Sequence, residues 1–287
     1  MNMKIYILLV GLWFFNSCDT QGVKSNQDQE KEVTSRDEVV KEVDSKRSLL
    51  DDVSKVIDEV TLDNGIVIKW VEHGEGEFLK RGEIINIDYK VFLKDNKVVD
   101  GNHLLKKESM PFMIGFEMQT KGWDIALEHL KIGDFAEVFI PSELARGEKG
   151  IEGLIPPNAD NVLKIRILSK QKPTREVDGN KVYLFEENEK NTFKFDRNNK
   201  IIFHCMVSSP TNPMYVNTYR SNPFELKLND SGTVPGLKKA LINAKKSDRM
   251  FVYVPAKEAY GSKGYLDVVG ANEDLFYNIL VMDVIDK

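Results

Sequence analysis

Residues 122–150 read GWDIALEHLKIGDFAEVFIPSELARGEKG, and residues 236–264 read GLKKALINAKKSDRMFVYVPAKEAYGSKG. The offset is a constant 114 residues, without a gap, and about eleven of the 29 positions are identical. The shared positions include Gly122/Gly236, Ala126/Ala240, Leu127/Leu241, Asp134/Asp248, Pro141/Pro255, Ala145/Ala259, Gly147/Gly261 and Gly150/Gly264. Solenoid units repeat every 20 to 50 residues or so. A repeat of this length is therefore a duplicated domain, and a function read from one copy can be checked against the other.

The surrounding pattern predicts mostly strands with one helix per copy. Asn64-Gly65 is a turn dipeptide, and residues 66–71 (IVIKWV) form an apolar run suited to a strand. Ile85, Ile87 and Tyr89 alternate with polar residues, which puts one face into a core. A short helix is expected over 123–130, then a strand over 135–140. The closing strand, 162–168, sets Leu163, Ile165 and Ile167 opposite Val162, Lys164 and Arg166. Residues 170–176, with Pro173, read as a linker. The predicted class is α+β: two tandem domains, 62–171 and 177–287, each an antiparallel sheet wrapped on one short helix.

At 287 residues the chain is long enough for two such cores. Its net charge of −5, with 40 basic residues scattered along the chain, gives no reason to expect a nucleic-acid partner. The two cysteines, Cys18 and Cys205, do not suggest a disulfide-held fold. Cys205, inside the apolar run IIFHCMV, reads as a buried core thiol. The four histidines show no metal-ligand spacing, so neither metal nor cofactor is expected.

The first 17 residues carry Lys4 and then the apolar run Ile5 to Phe15, too short to span a bilayer as a mature helix. Asn16-Ser17-Cys18 follows, and the segment resembles a bacterial lipoprotein signal. That resemblance implies a lipid on Cys18 and a chain exported to the periplasm or cell surface. An ordinary cleaved signal peptide and a plain membrane anchor are the alternatives. Residues 18–34 are polar and read as a tether reaching about 20 Å. Residues 35–61 read as an amphipathic helix: Ser35 and Glu38 fit a capping box, and Val43, Leu50, Val53, Ile57 and Val60 fall at helical spacing. Its apolar stripe either packs on the first domain or forms a dimerising arm.

Tyr89, Asp100, Gly122-Trp123, Ala126-Leu127, Gly133-Asp134, Pro141, Gly147 and Leu154-Ile155-Pro156-Pro157 together resemble an FKBP-type peptidyl-prolyl cis-trans isomerase domain. The second copy resembles the same family more weakly. The resemblance implies an apolar pocket with Trp123 as its floor, Tyr89 and Asp100 on the inner wall, and Leu154 and Ile155 on the flap. It also implies a backbone donor at Thr120. Phe112 keeps its expected type. Val99, Met110, Arg146 and Leu163 occupy pocket positions where the family carries aromatics, which implies reduced activity. In the second copy Phe224, Tyr260 and Tyr277 are aromatic and Val234 takes the backbone-donor position, but Leu237 replaces the floor tryptophan. Its inner-wall aromatic is either Phe203 or His204.

Two functions follow from that resemblance. One is an exported prolyl isomerase acting mainly through the first domain on proline-containing polypeptides. The other is a non-catalytic FKBP-fold chaperone or binding module.

Overall fold

Turn chemistry fixes the first hairpin. Gly65 adopts φ +83°, and backbone bonds of 2.8 Å (Leu62 N–H to Ile66 O) and 2.9 Å (Gly65 N–H to Leu62 O) close the turn. The computed structural model describes residues 55–219 and 221–286. The chain forms two compact units.

The hairpin joins β1 (Asp58–Thr61) to β2 (Val67–Glu72), with Asp58 opposite Trp70 and Thr61 opposite Val67. This corrects the helix expected over 35–61, because its last residues are a strand. Ile57 and Val60 do fit a helical stripe, but the ladder to β2 gives residues 58–61 backbone partners that override it. Residues 55–57 of that expected helix are not helical either, and the rest of it (35–54), the signal segment, the tether and Cys18 lie outside the described residues.

The first sheet continues with β3 (Ile84–Phe92), β4 (Val98–Gly101), β5 (Met110–Met113), β6 (Phe135–Ile140) and β7 (Asn161–Lys170). Its order is β1-β2-β6-β7-β3-β4, with β5 beside β3. Along β7, Leu163, Ile165 and Ile167 are fully buried while Val162, Lys164 and Arg166 are half-buried, as the alternation predicts.

The second sheet repeats this plan with β8 (Arg175–Val177), β9 (Asn180–Glu186), β10 (Asn199–Ser208), β11 (Val216–Asn217), β12 (Phe224–Leu226), β13 (Arg249–Val254) and β14 (Leu275–Asp286). Its order is β11-β10-β14-β13-β9-β8, with β12 beside β10, which is the first order read from the other end. The second domain begins earlier than 177, because Arg175 and Glu176 pair with Val182 and Lys181.

Each sheet carries one helix, α1 (Lys121–Leu127) and α2 (Pro235–Leu241). The first starts two residues before the predicted helix and ends earlier, Leu130 lying in the turn that follows. Thr120 caps α1 in an extended conformation, and Pro235 opens α2 at a position where its missing N–H costs nothing. Both bury a Gly-x-x-x-Ala-Leu stripe: Gly122, Ala126 and Leu127 in one, Gly236, Ala240 and Leu241 in the other.

The turn after each helix is held by the shared aspartate. Asp134, 1% exposed, accepts from the Trp70 indole at 3.0 Å, from Gly74 N–H at 2.6 Å and from Lys131 N–H at 2.9 Å. Asp248 accepts from Lys245 N–H at 2.8 Å and Asn188 N–H at 3.2 Å. Replacing Asp134 by Ala would strand three donors in or near the core, and the first domain is expected to lose about 2–5 kcal/mol. Of the three tryptophans, Trp70 and Trp123 lie in that domain and the third is Trp13. A urea titration of the Asp134→Ala chain followed by tryptophan fluorescence therefore reads the loss directly.

Candidate functional site

The helix start places the central ring. Trp123 follows the extended Thr120 cap by three residues and is 2% exposed. Tyr89 on β3 meets it edge-on, with centroids 5.1 Å apart at 80°, and Phe112 on β5 stacks on it at 5.4 Å and 21°. Helix, central strand and edge strand thus each supply one ring. Edge-to-face and stacked pairs of this kind add to the energy of area burial alone. Val99 on β4, Met110 on β5, Ile155 on the flap and Leu163 on β7 are all buried, and Leu154 is half-buried. The flap is closed by Ile151 N–H bonding Ile155 O at 2.7 Å. The Thr120 N–H precedes the helical ladder, as a backbone donor to a ligand must.

Beside the rings lies a polar chain that the sequence did not reveal. Gln119 Nε2 donates to Asp100 Oδ2 at 3.2 Å, and Arg146 Nη2 donates to Gln119 Oε1 at 2.8 Å. Gly101 N–H also donates to Asp100 Oδ1 at 2.8 Å. The Tyr89 hydroxyl is close enough to the Asp100 carboxyl for each to alter the other's proton affinity, yet it closes no well-directed hydrogen bond. Gln119 is the missed residue. It stands directly before the Thr120 cap, but only the fold brings positions 100, 119 and 146 together.

Burial dominates the electrostatics. It raises Asp100 to about 6, against the opposing pull of Gly101 N–H, Tyr89, Arg146 and Gln119. It lowers Arg146 to about 10, partly offset by the Asp100 charge, so the guanidinium stays protonated at neutral pH. It raises Tyr89 well above the usual phenol value, with Asp100 adding to the shift.

The second domain builds its site from other residues. Phe203 is 2% exposed and meets Phe224 at 6.0 Å, whereas His204 stacks on Tyr219 at 5.3 Å and pairs with Thr218. Strand alternation therefore puts Phe203, not His204, on the inner face, but the position matching Tyr89 is held by Cys205, whose N–H bonds Thr218 Oγ1 as Tyr89 N–H bonds Asn102 Oδ1. Leu237, Val234, Val269 and Tyr277 share one buried cluster, with Tyr215 and Tyr260 packed on its margin. Tyr260 stacks on Tyr265 at 4.7 Å. Phe224 is less of a wall than expected, since it is 45% exposed. Burial raises Tyr277 well above its usual value, and the neighbouring Tyr215 and Tyr260 add to that shift. Burial also pushes the Cys205 thiol up to about 12, which fits an inert core residue.

An antiparallel sheet folded on one short helix, with a tryptophan at the helix start enclosed by strand aromatics, defines an FKBP-type domain. The chain belongs to the FKBP-type peptidyl-prolyl cis-trans isomerase family, which it matches twice, over residues 75–168 and 187–282. It is 32% identical over 111 residues to FK506-binding protein 1 of Candida glabrata, a match covering 38% of this chain and 95% of that protein. It is 30% identical over 112 residues to the peptidyl-prolyl cis-trans isomerase Mip of Coxiella burnetii, covering 39% of this chain and 47% of that protein. The chain thus spans about half the length of the latter relative. Among solved structures, the three FKBP domains of a wheat FKBP align with 78% of this chain and 97% of that one, at 21% identity and a TM-score of 0.39.

The raised Asp100 value has a thermodynamic consequence. In the unfolded chain this carboxyl loses its proton near ~3.9, but in the fold it keeps it up to about 6. Between these values the native state binds more protons, so the first domain gains stability as pH falls from about 6 towards 4. Relative to Asp100→Asn, the native chain should gain up to about 3 kcal/mol between pH 7 and pH ~4. Urea unfolding of both chains at the two pH values measures it, and a gap independent of pH would refute the shift.

Proposed function

We propose that this chain is an exported prolyl isomerase whose first domain carries most of the turnover. The observation behind this reading is the Trp123 ring held between the edge of Tyr89 and the face of Phe112, with the Asp100–Gln119–Arg146 chain beside it.

Rotation about a prolyl peptide bond is slow because amide resonance opposes it, with a barrier near ~18–20 kcal/mol. Twisting the bond removes resonance and charge separation, so the transition state is less polar than the planar amide. A rigid apolar site therefore accelerates the reaction by binding the twisted form better than the planar one, without acid, nucleophile or metal. The Trp123, Tyr89 and Phe112 rings supply that surface. The Thr120 N–H is a donor for a client carbonyl oxygen, and the Arg146 guanidinium offers further N–H donors to the client. Ile155 on the flap and the buried Val99, Met110 and Leu163 complete the apolar lining.

Exchange spectroscopy on a proline peptide, or a protease-coupled assay, tests this in the full chain. Trp123→Ala is expected to lower kcat/KM about tenfold or more, and to cost more than Leu237→Ala in the second domain. Rates that equal the uncatalysed reaction for the native chain would sink the proposal.

A second reading, a non-catalytic chaperone or binding module, is favoured by one observation in the second domain. Leu237 stands in place of the tryptophan, and its site is lined by tyrosines. Suppression of client aggregation without catalysis would select it.

The proposal places the chain on a membrane through a lipid on Cys18, on the strength of the Ile5–Phe15 run and the Ser17-Cys18 junction. When the chain is expressed in a bacterium, detergent phase partitioning should send it to the detergent phase. Cys18→Ser should return it to the aqueous phase.

A further inference from the structure

Arg146 stands where the second copy carries Tyr260, and the two positions are built alike. Each precedes the glycine of a 3-10 turn, Gly147–Lys149 or Gly261–Lys263, with φ/ψ of −106°/0° and −101°/−4°. In the second domain the side chain turns inward, and Tyr260 packs on the cluster holding Leu237 and Tyr277. In the first domain the same position delivers a guanidinium.

That guanidinium is short of counter-charge. Its hydrogen bond among the described residues goes to the neutral amide oxygen of Gln119, at 2.8 Å. Asp100 lies one hydrogen bond further, bound by the other end of the same amide at 3.2 Å. Gln119 thus spaces the two charges apart while fixing both. Guanidinium carries five N–H donors in a planar fork, and among the described residues one of them is bonded. Burial has lowered the proton affinity of Arg146 without giving it a carboxylate of its own. A half-buried cation with donors to spare gains most from an anionic acceptor that can take two parallel bonds. A client's carbonyl oxygen offers a weaker acceptor, and a tyrosine hydroxyl at this position would confer no preference for charge.

We propose that Arg146 is a specificity-determining residue of the first domain, positioned by Gln119 to bind a carboxylate on the client residue flanking the prolyl bond. The substrate class is then acidic proline segments, Glu-Pro or Asp-Pro among them. The inference rests on the reading of the first domain as the client site. The second domain, with Tyr260 in this place, carries no such preference.

The test uses the full chain and two peptides that differ only in Glu or Gln beside the proline. Binding is followed by tryptophan fluorescence, which reports on Trp123 whether or not turnover occurs, and exchange by NMR. The Glu peptide should bind about five- to tenfold more tightly at low salt. This ratio should fall towards one between about 0.05 and 0.5 M salt. It should also fall towards one in Arg146→Gln and in Gln119→Ala, and survive in part in Arg146→Lys. The ratio is the readout because a purely structural role for either residue would weaken both peptides together. The salt series keeps the test independent of whether a variant folds. Equal binding of the two peptides by the native chain, or a ratio kept in Arg146→Gln, overturns this inference and leaves the isomerase reading standing. Failure to bind or turn over either peptide overturns both.

Discussion

The closest constraint in each domain is the approach of helix to sheet. A Cβ on Gly122 would lie 2.4 Å from Ile140 Cγ2 and 2.8 Å from Leu144 O. In the second copy, a Cβ on Gly236 would lie 2.5 Å from Val254 Cγ1 and 2.2 Å from Asn180 Oδ1. Ile140 and Val254 are the same position of the repeat. With no side chain between them, helix backbone and strand come into direct contact, and everything carried on the helix start inherits that placement. Trp123 is the next residue after Gly122, so its position is set by a contact it does not itself make. The buried carboxylates Asp134 and Asp248 then tie down the turn leaving each helix, fixing the other end. This explains why the identities between the copies fall on Gly, Ala-Leu, Asp and Pro. These residues build the platform, and the platform tolerates different occupants.

What the two copies place on that platform differs in electrostatic kind. The first keeps a carboxyl, an amide and a guanidinium next to its rings, and burial strains the charge state of both ionisable members. Such groups cost stability unless every partner is satisfied. The chain meets part of that cost with Gln119, whose amide gives a donor to Asp100 and an acceptor to Arg146 at once. The second copy avoids the cost by lining its site with phenols, whose hydroxyls are neutral at any physiological pH. Under the proposed reading, the first site senses charge on a client and the second only shape and apolar area.

Much of this architecture was legible because local and tertiary demands agree. Residues 135–140 read as a strand and are one, and the alternation along β7 matches its burial. Reading failed where a local pattern was overruled by pairing across the chain. Val60 lies at helical spacing with Ile57, yet it sits opposite Ile68 in the β1–β2 ladder. Arg175 and Glu176, beside Pro173, looked like linker but have partners on β9. In the site, the family resemblance pointed to Tyr89, Phe112 and Trp123, which do come together. Gln119 could not be read, because an amide has no spacing rule and its two partners lie 19 and 27 residues away. The choice between Phe203 and His204 likewise needed the strand's register, which puts the first inside and the second against Tyr219.

The loss of the second tryptophan is better understood as a relocation of volume. Leu237 replaces the Trp123 position, and Tyr277 replaces the Leu163 position. Leu163 is fully buried and Tyr277 is 4% exposed, so both strand positions lie inside their cores. Leu237 and Tyr277 belong to one buried cluster, so the ring given up by the helix is returned by the last strand. Cores tolerate paired changes of this kind when total volume is kept, whereas a lone Trp-to-Leu change would leave a costly void. The exchange moves the aromatic surface from the helix start, next to the N-cap residue Val234, to the sheet. A fold can therefore keep its packing while its site loses the tryptophan floor. For this reason the stability of the second domain carries no information about whether it still catalyses.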